Sequence, residues 1–440
     1  MLQDFLDHIE RYKLFAKTDR ILVAVSGGRD SMALAHLFLR SGLDFALAHA
    51  NFQLRGAASE ADENLVKTWA KENGVVCYRQ RFDTRQYAQE EGLSTQLAAR
   101  ELRYEWFDEL CEAEGFEVVA TAHHRQDALE STLLHLARGT GHAGMVGISP
   151  YFGRRVRPLL FATRNQIDAY VGKHNIGWRE DESNAETKYR RNFVRHKMLP
   201  LMEELNPSLL ETFGPTWERL FGASELLTHF VDGWLAQHLT VSGPDEILPL
   251  GALEELPAQS VVLYEWLQPL GFGYSQVADM VQHLEGISGR YWDSNTHRLI
   301  IDRAQLILAP LPTDGHAMPW PIGAEEIGFA EGTLQRELLP SGRDIPTDGN
   351  VAWLDPTAMQ GKWRVRPWQQ GDWFIPLGMK GKKKISDFLI DRKISLNLKS
   401  RVWVLEVDDR IAWVIGHRVD ERFKYSPMMQ SVYQITFRPA

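Results

Sequence analysis

The chain has 440 residues, too many for one ordinary hydrophobic core, so two or three domains are expected. Hydrophobic residues make up 44% and charged residues 24%, the balance of a water-soluble globular protein, and no apolar run approaches the length of a membrane span. The net charge of −9 excludes a uniformly basic nucleic-acid coat, and the two distant cysteines, Cys77 and Cys111, exclude a CxxC pair and fit reduced thiols in the cytoplasm.

The opening Met1–Ile9 carries acids instead of a basic leader and reads as a short amphipathic helix, not a signal peptide. Ile21–Val25 is an apolar run that predicts a buried strand. Ser26-Gly27-Gly28-Arg29-Asp30-Ser31 follows, and Met32–Leu39 reads as the first turns of a helix. Phe45–His49 predicts a second strand, Ser59–Asp62 opens a helix that ends before Gly74, and Val75–Tyr78 predicts a third strand. A long helix is expected over Thr95–Ala113, closed by Gly115, then a strand over Phe116–Ala120 and a helix over Asp127–Leu136 ending at Gly139. Repeated strand–helix units imply a doubly wound, Rossmann-like parallel sheet with ligands at the carboxyl ends of its strands.

Past Pro207 the pattern changes. Residues 208–310 look mainly helical, with Trp217, Leu220, Phe221, Leu226 and Leu227 at helical spacing. Pro310, Pro312, Pro319 and Pro321 mark a linker, and strand-like runs at 363–366, 402–405 and 411–415 predict a small β-rich domain. The expected domains are therefore 1–207, 208–310 and 320–440. Charge is unevenly spread. Lys188–Lys197 holds five Lys or Arg and no acid, and Lys362–Arg401 holds eleven against three Asp. An acidic protein with such local basic surfaces can still bind a polyanion.

Two glycines at a strand-to-helix turn let the backbone approach a ligand, and the helix start favours an anion, so a phosphate is the natural occupant of the Ser26–Ser31 loop. It lacks the Lys-Ser/Thr ending of a Walker loop and the spacing of a dinucleotide fingerprint. His49-Ala50-Asn51 stands at the end of the second strand. Arg100 and Arg103, three apart on a helix, would neutralise phosphate charge. Asp127 and Glu130 share one helix face beside His123 and His124, suited to an ammonium or to Mg²⁺ through water. The histidine pair has no further zinc ligands near it. Asp181-Glu182-Ser183-Asn184 reads as a turn, and Arg191 and Arg195 are four apart.

Ser-Gly-Gly-x-Asp-Ser resembles the pyrophosphate loop of the ATP-pyrophosphatase superfamily, whose members cleave ATP between the α- and β-phosphates. The ordered set is more specific: that loop, His49-x-Asn51-x-x-Leu54-Arg55-Gly56, Ala99-Arg100-x-x-Arg103-Tyr104, His123-His124-x-x-Asp127-x-x-Glu130, Arg157-Pro158-Leu159 and Asp181-x-Ser183-Asn184 followed by Arg191-Asn192-x-x-Arg195. Near the far end stand Val365-Arg366-Pro367, Gly371-Asp372, Pro376-Leu377-Gly378, Lys383–Asp387 and Trp413–Arg418. Together they resemble the bacterial tRNA(Ile)-lysidine synthetase family. Departures are Phe52, where members often carry a second His, Gln126, where an Asp pair is usual, and Ser131 after Glu130 in place of Thr.

The resemblance implies a ligase that forms a carbon–nitrogen bond: ATP adenylates the C2 carbonyl oxygen of the wobble cytidine of a tRNA(Ile) with a CAU anticodon, and the ε-amine of free L-lysine attacks C2 and expels AMP. It implies a cytoplasmic enzyme without a membrane anchor, compatible with a homodimer, using ATP and Mg²⁺. Ser26, Gly27, Gly28, Arg29, Asp30, Ser31, His49, Arg100 and His123 would surround ATP, with Mg²⁺ reached through Asp30 and no protein cage for a metal. Asp30, Arg100 and Asp127 would act in catalysis, and Asp127, Glu130 and Arg195 would hold lysine. Arg191, Lys380, Lys382, Lys383 and Lys384 would contact tRNA. Trp363, Trp368 and Trp373 are expected in a domain core before a base-stacking surface. A tRNA thiolase of the same superfamily and an ATP-dependent amidotransferase remain alternatives; the first generally needs cysteines, and Cys77 and Cys111 are expected within a strand and a helix.

Overall fold

The computed structural model describes residues 1–180, 190–285, 288–311, 315–321, 323–340 and 348–439. The chain divides into two compact units, Met1–Leu227 and Thr228–Ala440. In the first, the elements run α1 (Leu2–Arg11), β1 (Ile21–Ala24), α2 (Arg29–Ser41), β2 (Phe45–Asn51), α3 (Ala57–Glu72), β3 (Cys77–Arg81), α4 (Thr84–Glu90), α5 (Thr95–Glu114), β4 (Val118–Ala120), α6 (Arg125–Arg138), α7 (His142–Val146), β5 (Tyr151–Phe152), β6 (Arg155–Val156), α8 (Arg164–Lys173) and α9 (Arg190–Phe193). A π-turn over Val194–Met198 and α10 (Leu199–Leu205) follow, and then α11 (Leu209–His238), which continues past the unit boundary at Leu227.

The sheet order is β3-β2-β1-β4-β6-β5, parallel except for the β5–β6 hairpin. β1 is thus the strand from which the order runs outward both ways. The crevice beyond the carboxyl ends of β1 and β4 is where a doubly wound sheet binds ligands. Both faces of the sheet are covered, which explains why its strands read as unbroken apolar runs. Ile21 and Val23 of β1 pack with Phe5, Leu34, Phe38 and Ile167 from α1, α2 and α8. Leu22 points the other way, to Phe107 and Cys111 of α5. Local signals set the helix ends. Ser94 accepts the amide of Leu97 at 3.3 Å at the start of α5, and Gly115 closes that helix at φ 71°. The third strand lies two residues later than its sequence pattern suggests, and α4, α7, α8 and the β5–β6 hairpin come in addition.

The second unit carries α12 (Leu250–Glu254), α13 (Gln259–Leu267) and α14 (Tyr274–Gln282), as the helical pattern suggests. They pack on an antiparallel sheet that the sequence reading did not anticipate: β7 (Thr240–Ser242), β8 (Asp245–Pro249), β9 (Tyr291–Asp293), β10 (His297–Asp302) and β11 (Gln305–Pro310), ordered β7-β8-β11-β10-β9. Its central hairpin turns on Arg303-Ala304, with Arg303 at φ 56°. That turn lacks the Asn-Gly or Asp-Gly signal, and the apolar runs flanking it fit a buried helix as well as a strand.

Next come β12 (Met318–Trp320), β13 (Glu326–Phe329), β14 (Gly332–Pro340), β15 (Val351–Leu354), β16 (Trp363–Pro367), β17 (Trp373–Phe374), β18 (Lys383–Lys384), α15 (Ile385–Asp391), α16 (Leu396–Lys399), β19 (Trp403–Val407), β20 (Arg410–Val414), β21 (Arg418–Val419) and β22 (Ser431–Pro439). They form the sheets β12-β16-β19-β20-β21 and β13-β14-β22-β15, and a β17–β18 hairpin. Trp320, Trp363, Trp403 and Trp413 fill the core between the two larger sheets.

Asp245 at the start of β8 is buried and accepts two bonds from Arg401, at 2.7 and 3.1 Å, and one from Asn397 at 2.7 Å. Removing one partner of a buried ion pair strands the other charge. Asp245→Ala should therefore cost about 3 kcal/mol or more of stability. Asp293→Ala, which breaks the more exposed pair with Arg298, should cost less than about 1 kcal/mol. Denaturant melts of the two variants check the difference.

Candidate active site

The Ser26–Ser31 turn joins β1 to α2, and Gly28 is the N-cap of that helix. Gly27 sits at φ +89°, a conformation that side chains disfavour. The two serines shape the turn from inside. Ser31 Oγ donates to the Gly28 carbonyl at 2.8 Å and accepts the Ser26 amide at 3.2 Å, and Ser26 Oγ accepts the Gly28 amide at 3.3 Å. The turn is also tied from outside. The Arg179 amide donates to the Gly27 carbonyl at 3.0 Å, and Arg179 Nε donates to Asp62 at 2.9 Å. Asp62 on α3 takes a second bond from Arg55 at 2.9 Å. Arg29 turns its guanidinium to Asp168 and lies over the Trp178 ring, 4.6 Å from its centroid.

His49, at the end of β2, is buried. Its Nδ1 lies 2.8 Å from the Val25 carbonyl, which can only accept, so Nδ1 carries the proton. Burial lowers its pKa. Beside it Glu63 is also buried, which alone would raise its pKa. Bonds from Asn51 at 2.8 Å and Arg81 at 2.9 Å outweigh that and hold it below the usual range. Arg100 lies over Tyr104 and Arg103 over Phe52, at 5.0 and 5.1 Å from the ring centroids.

The end of β4 supplies the other half. His123 Nδ1 is 3.0 Å from Thr121 Oγ1, and burial pushes its imidazole down to about 4. His124 is the N-cap of α6 and is almost wholly buried. Its Nε2 stands 3.8 Å from Asp30 and 3.6 Å from Asp127, and so bridges the glycine turn and the acid pair. Asp30 Oδ1 is buried without a partner, an oxygen suited to a cation. His124 was absent from the residues expected around the ligand. The available signal was its place one turn before Asp127, whose carboxylate accepts the His124 amide at 3.0 Å.

Asp127 and Glu130 do share a face of α6, and Arg191 and Arg195 close over them. Arg191 donates to Asp127 at 2.8 Å and to Glu130 at 2.8 Å. Arg195 donates to Glu130 at 2.7 and 3.0 Å and to Asp127 at 3.4 Å. Burial alone would raise the Asp127 pKa, but His124 and Arg191 hold it down to about 2. Arg191, expected to face RNA, thus spends its guanidinium on the acids. Asp181–Asn184 and Lys188 lie outside the described residues. Cys77 and Cys111 are free thiols, both pushed up to about 11 by burial, the opposite of an activated cysteine.

In the second unit, Lys380, Lys382 and Lys384 are exposed at the β17–β18 hairpin, and Lys383 pairs with Asp391. Trp363 is core, and Trp368 packs at the edge of a second apolar cluster. Trp373 is half-buried, with Lys382 Nζ 3.7 Å and Arg422 Cζ 4.8 Å from its ring centroid. No helix among the described residues is long and apolar enough to cross a membrane.

A serine- and glycine-lined turn at the switch strand of a parallel sheet, followed by a helix N-terminus, defines a PP-loop domain, and residues 2–202 match the family described as PP-loop domain. Residues 242–311 match the TilS substrate binding domain and residues 363–435 the TilS substrate C-terminal domain. The tRNA(Ile)-lysidine synthase of Bacteroides thetaiotaomicron is 39% identical over 96% of both chains, and that of Parabacteroides distasonis 38% identical over 98% of both. The chain belongs to the tRNA(Ile)-lysidine synthase family.

At Gly27 the left-handed backbone sets the cost of a side chain. A Cβ there would meet Asp62 at 3.4 Å, an ordinary contact, so the cost of a side chain is conformational. Gly27→Ala should destabilise by about 1–2 kcal/mol. Gly28→Ala, at φ −76°, should cost less. Calorimetric melting of both variants decides it.

Proposed function

We propose that this chain joins free L-lysine to C2 of the wobble cytidine of tRNA(Ile) with a CAU anticodon, through an adenylated cytidine, releasing AMP and pyrophosphate. One observation carries the reading: His124 spans Asp30 of the glycine turn and Asp127 of the acid pair, at 3.8 and 3.6 Å. A phosphate site and an ammonium site therefore adjoin in one polar strip, as a two-step adenylation and amine transfer requires.

In the first step the Ser26–Ser31 turn and the start of α2 hold the β- and γ-phosphates by backbone N–H groups. The cytosine O2 attacks the α-phosphate and pyrophosphate leaves. Asp30 would hold Mg²⁺ through its unpartnered oxygen, and the ion would neutralise charge on the phosphates. His49 and His123, both biased toward the neutral form, would offer hydrogen bonds to the nucleotide without adding charge. Arg100 would stabilise charge on the nucleotide. In the second step Asp127, Glu130 and Arg195 fix the lysine head group, so that its side-chain amine attacks C2 and AMP leaves. That amine must first lose a proton, since its free pKa is about 10.4. The target base has to be unstacked to reach the site.

The exposed Lys380, Lys382 and Lys384, with Lys383, supply phosphate contacts on the second unit. Trp373 between two cations is braced by cation–π contacts and presents charge beside an aromatic face. Inactive-looking thiols speak against the thiolase alternative.

Incubation of the purified protein with ATP, Mg²⁺, labelled lysine and bulk tRNA should put label into tRNA only when ATP is present; sulfur-dependent modification, or none, would overturn the reading. Asp127→Asn should raise the lysine KM roughly ten- to a hundredfold, the worth of one charge-assisted hydrogen bond. Replacing Lys382, Lys383 and Lys384 together by Ala should weaken tRNA binding and make its salt dependence shallower by roughly two units, measured by filter binding across salt.

A further inference from the structure

The acid pair is already neutralised. Glu130 is fully buried and the Asp127 side chain is 14% exposed, so bare carboxylates here would be costly. Two guanidiniums meet that cost, and two negative charges face two positive ones. A lysine head group, with one ammonium and one carboxylate, is itself neutral. It can enter a closed, neutral cluster only by splitting an internal ion pair and re-forming both halves: ammonium to acid, carboxylate to guanidinium.

The two arginines are not equivalent. Arg195 grips Glu130 with a two-bonded fork, Nε to Oε1 and Nη2 to Oε2, and its side chain is 20% exposed. Arg191 straddles the acids with one bond to each, and its side chain is 39% exposed. It sits on α9, a helix of four residues that runs directly into the π-turn holding Arg195. π-turns inside helices recur at functional sites. Withdrawing Arg191 costs one bond at each carboxylate and leaves the Arg195 fork intact. The site then holds two carboxylates and one guanidinium, a net negative charge that favours an ammonium.

We propose that Arg191 is an exchangeable plug and a specificity-determining residue: it caps Asp127 and Glu130 until the α-ammonium of lysine displaces it, and its freed guanidinium then pairs with the α-carboxylate. The proposal rests on Asp127 and Glu130 being the lysine site. It makes the substrate open its own site, and it selects for a molecule carrying both groups. An amine without a carboxylate can displace Arg191 only by leaving that guanidinium unpaired.

The probe is 1,5-diaminopentane, which is lysine without its carboxylate, used as an inhibitor of lysine incorporation into tRNA. In Arg191→Ala the plug is gone, so the diamine should inhibit at least tenfold more strongly than in the unaltered enzyme, while the lysine KM does not fall by the same factor. Arg191→Lys restores a cation to the acids and should return diamine inhibition to its weak level. Arg191→Gln serves where the alanine variant does not fold, with the same expectation. Diamine inhibition unchanged in the Ala and Gln variants, with a raised lysine KM, would make Arg191 a simple carboxylate anchor and overturn the plug. Equal loss toward both ligands would make it merely structural and overturn it too. A raised tRNA KM with unaltered lysine and diamine behaviour would return Arg191 to RNA contact. The underlying site is tested separately: if Asp127→Asn and Glu130→Gln both leave the lysine KM unmoved, the lysine site itself is misplaced.

Discussion

A carboxylate taken out of water must be paid for by a positive partner, and the first unit is organised around three such debts. Asp62 binds Arg55 and Arg179; Glu63 binds Asn51, Arg79 and Arg81; Asp127 and Glu130 bind Arg191 and Arg195. The acids come from helices α3 and α6, while several of the cations come from segments far away in sequence. Each pairing therefore ties a helix to a strand, loop or helix distant in sequence. The glycine turn gains its outside support this way, because Arg179 binds Asp62 through its side chain and the Gly27 carbonyl through its amide.

The same principle separates scaffold from chemistry. Glu63 on α3 joins Asn51 of β2 to Arg79 and Arg81 of β3, and its lowered pKa keeps it charged. The Asp127–Glu130 pair sits at the open ends of the strands, where its cations arrive on a short helix and a π-turn. Identical charges thus brace two strands in one place and line the ligand end of the sheet in the other.

Much of the first unit was legible because its signals are local. An apolar run before two glycines, and glycine or serine at helix ends, are read within six residues. Asp127 and Glu130 were legible as a shared helix face for the same reason. The pairing of Arg191 with those acids was not, since it spans 61 and 64 residues and basic runs usually face solvent. The tie of Asp62 to Arg179 spans 117 residues and has no pattern at all. His123 and His124 are indistinguishable in the sequence, because two adjacent histidines at a strand end look alike until backbone geometry aims one between two carboxylates. In the second unit the β9–β11 strands were hidden by apolar runs short enough to suit either secondary structure and by a turn without glycine. The resemblance to a family carried the functional assignment there, where local physics was ambiguous.

The buried bond of Asp245 to Asn397 and Arg401 bears on how this chain can be recombined with its relatives. The acid belongs to the stretch that matches one family domain, and its partners belong to the stretch that matches another. A chimera that replaces only one of the two segments would place a foreign side chain opposite a buried charge. The two segments are therefore expected to be inherited, and exchanged, as one cassette, whatever the boundary between them suggests.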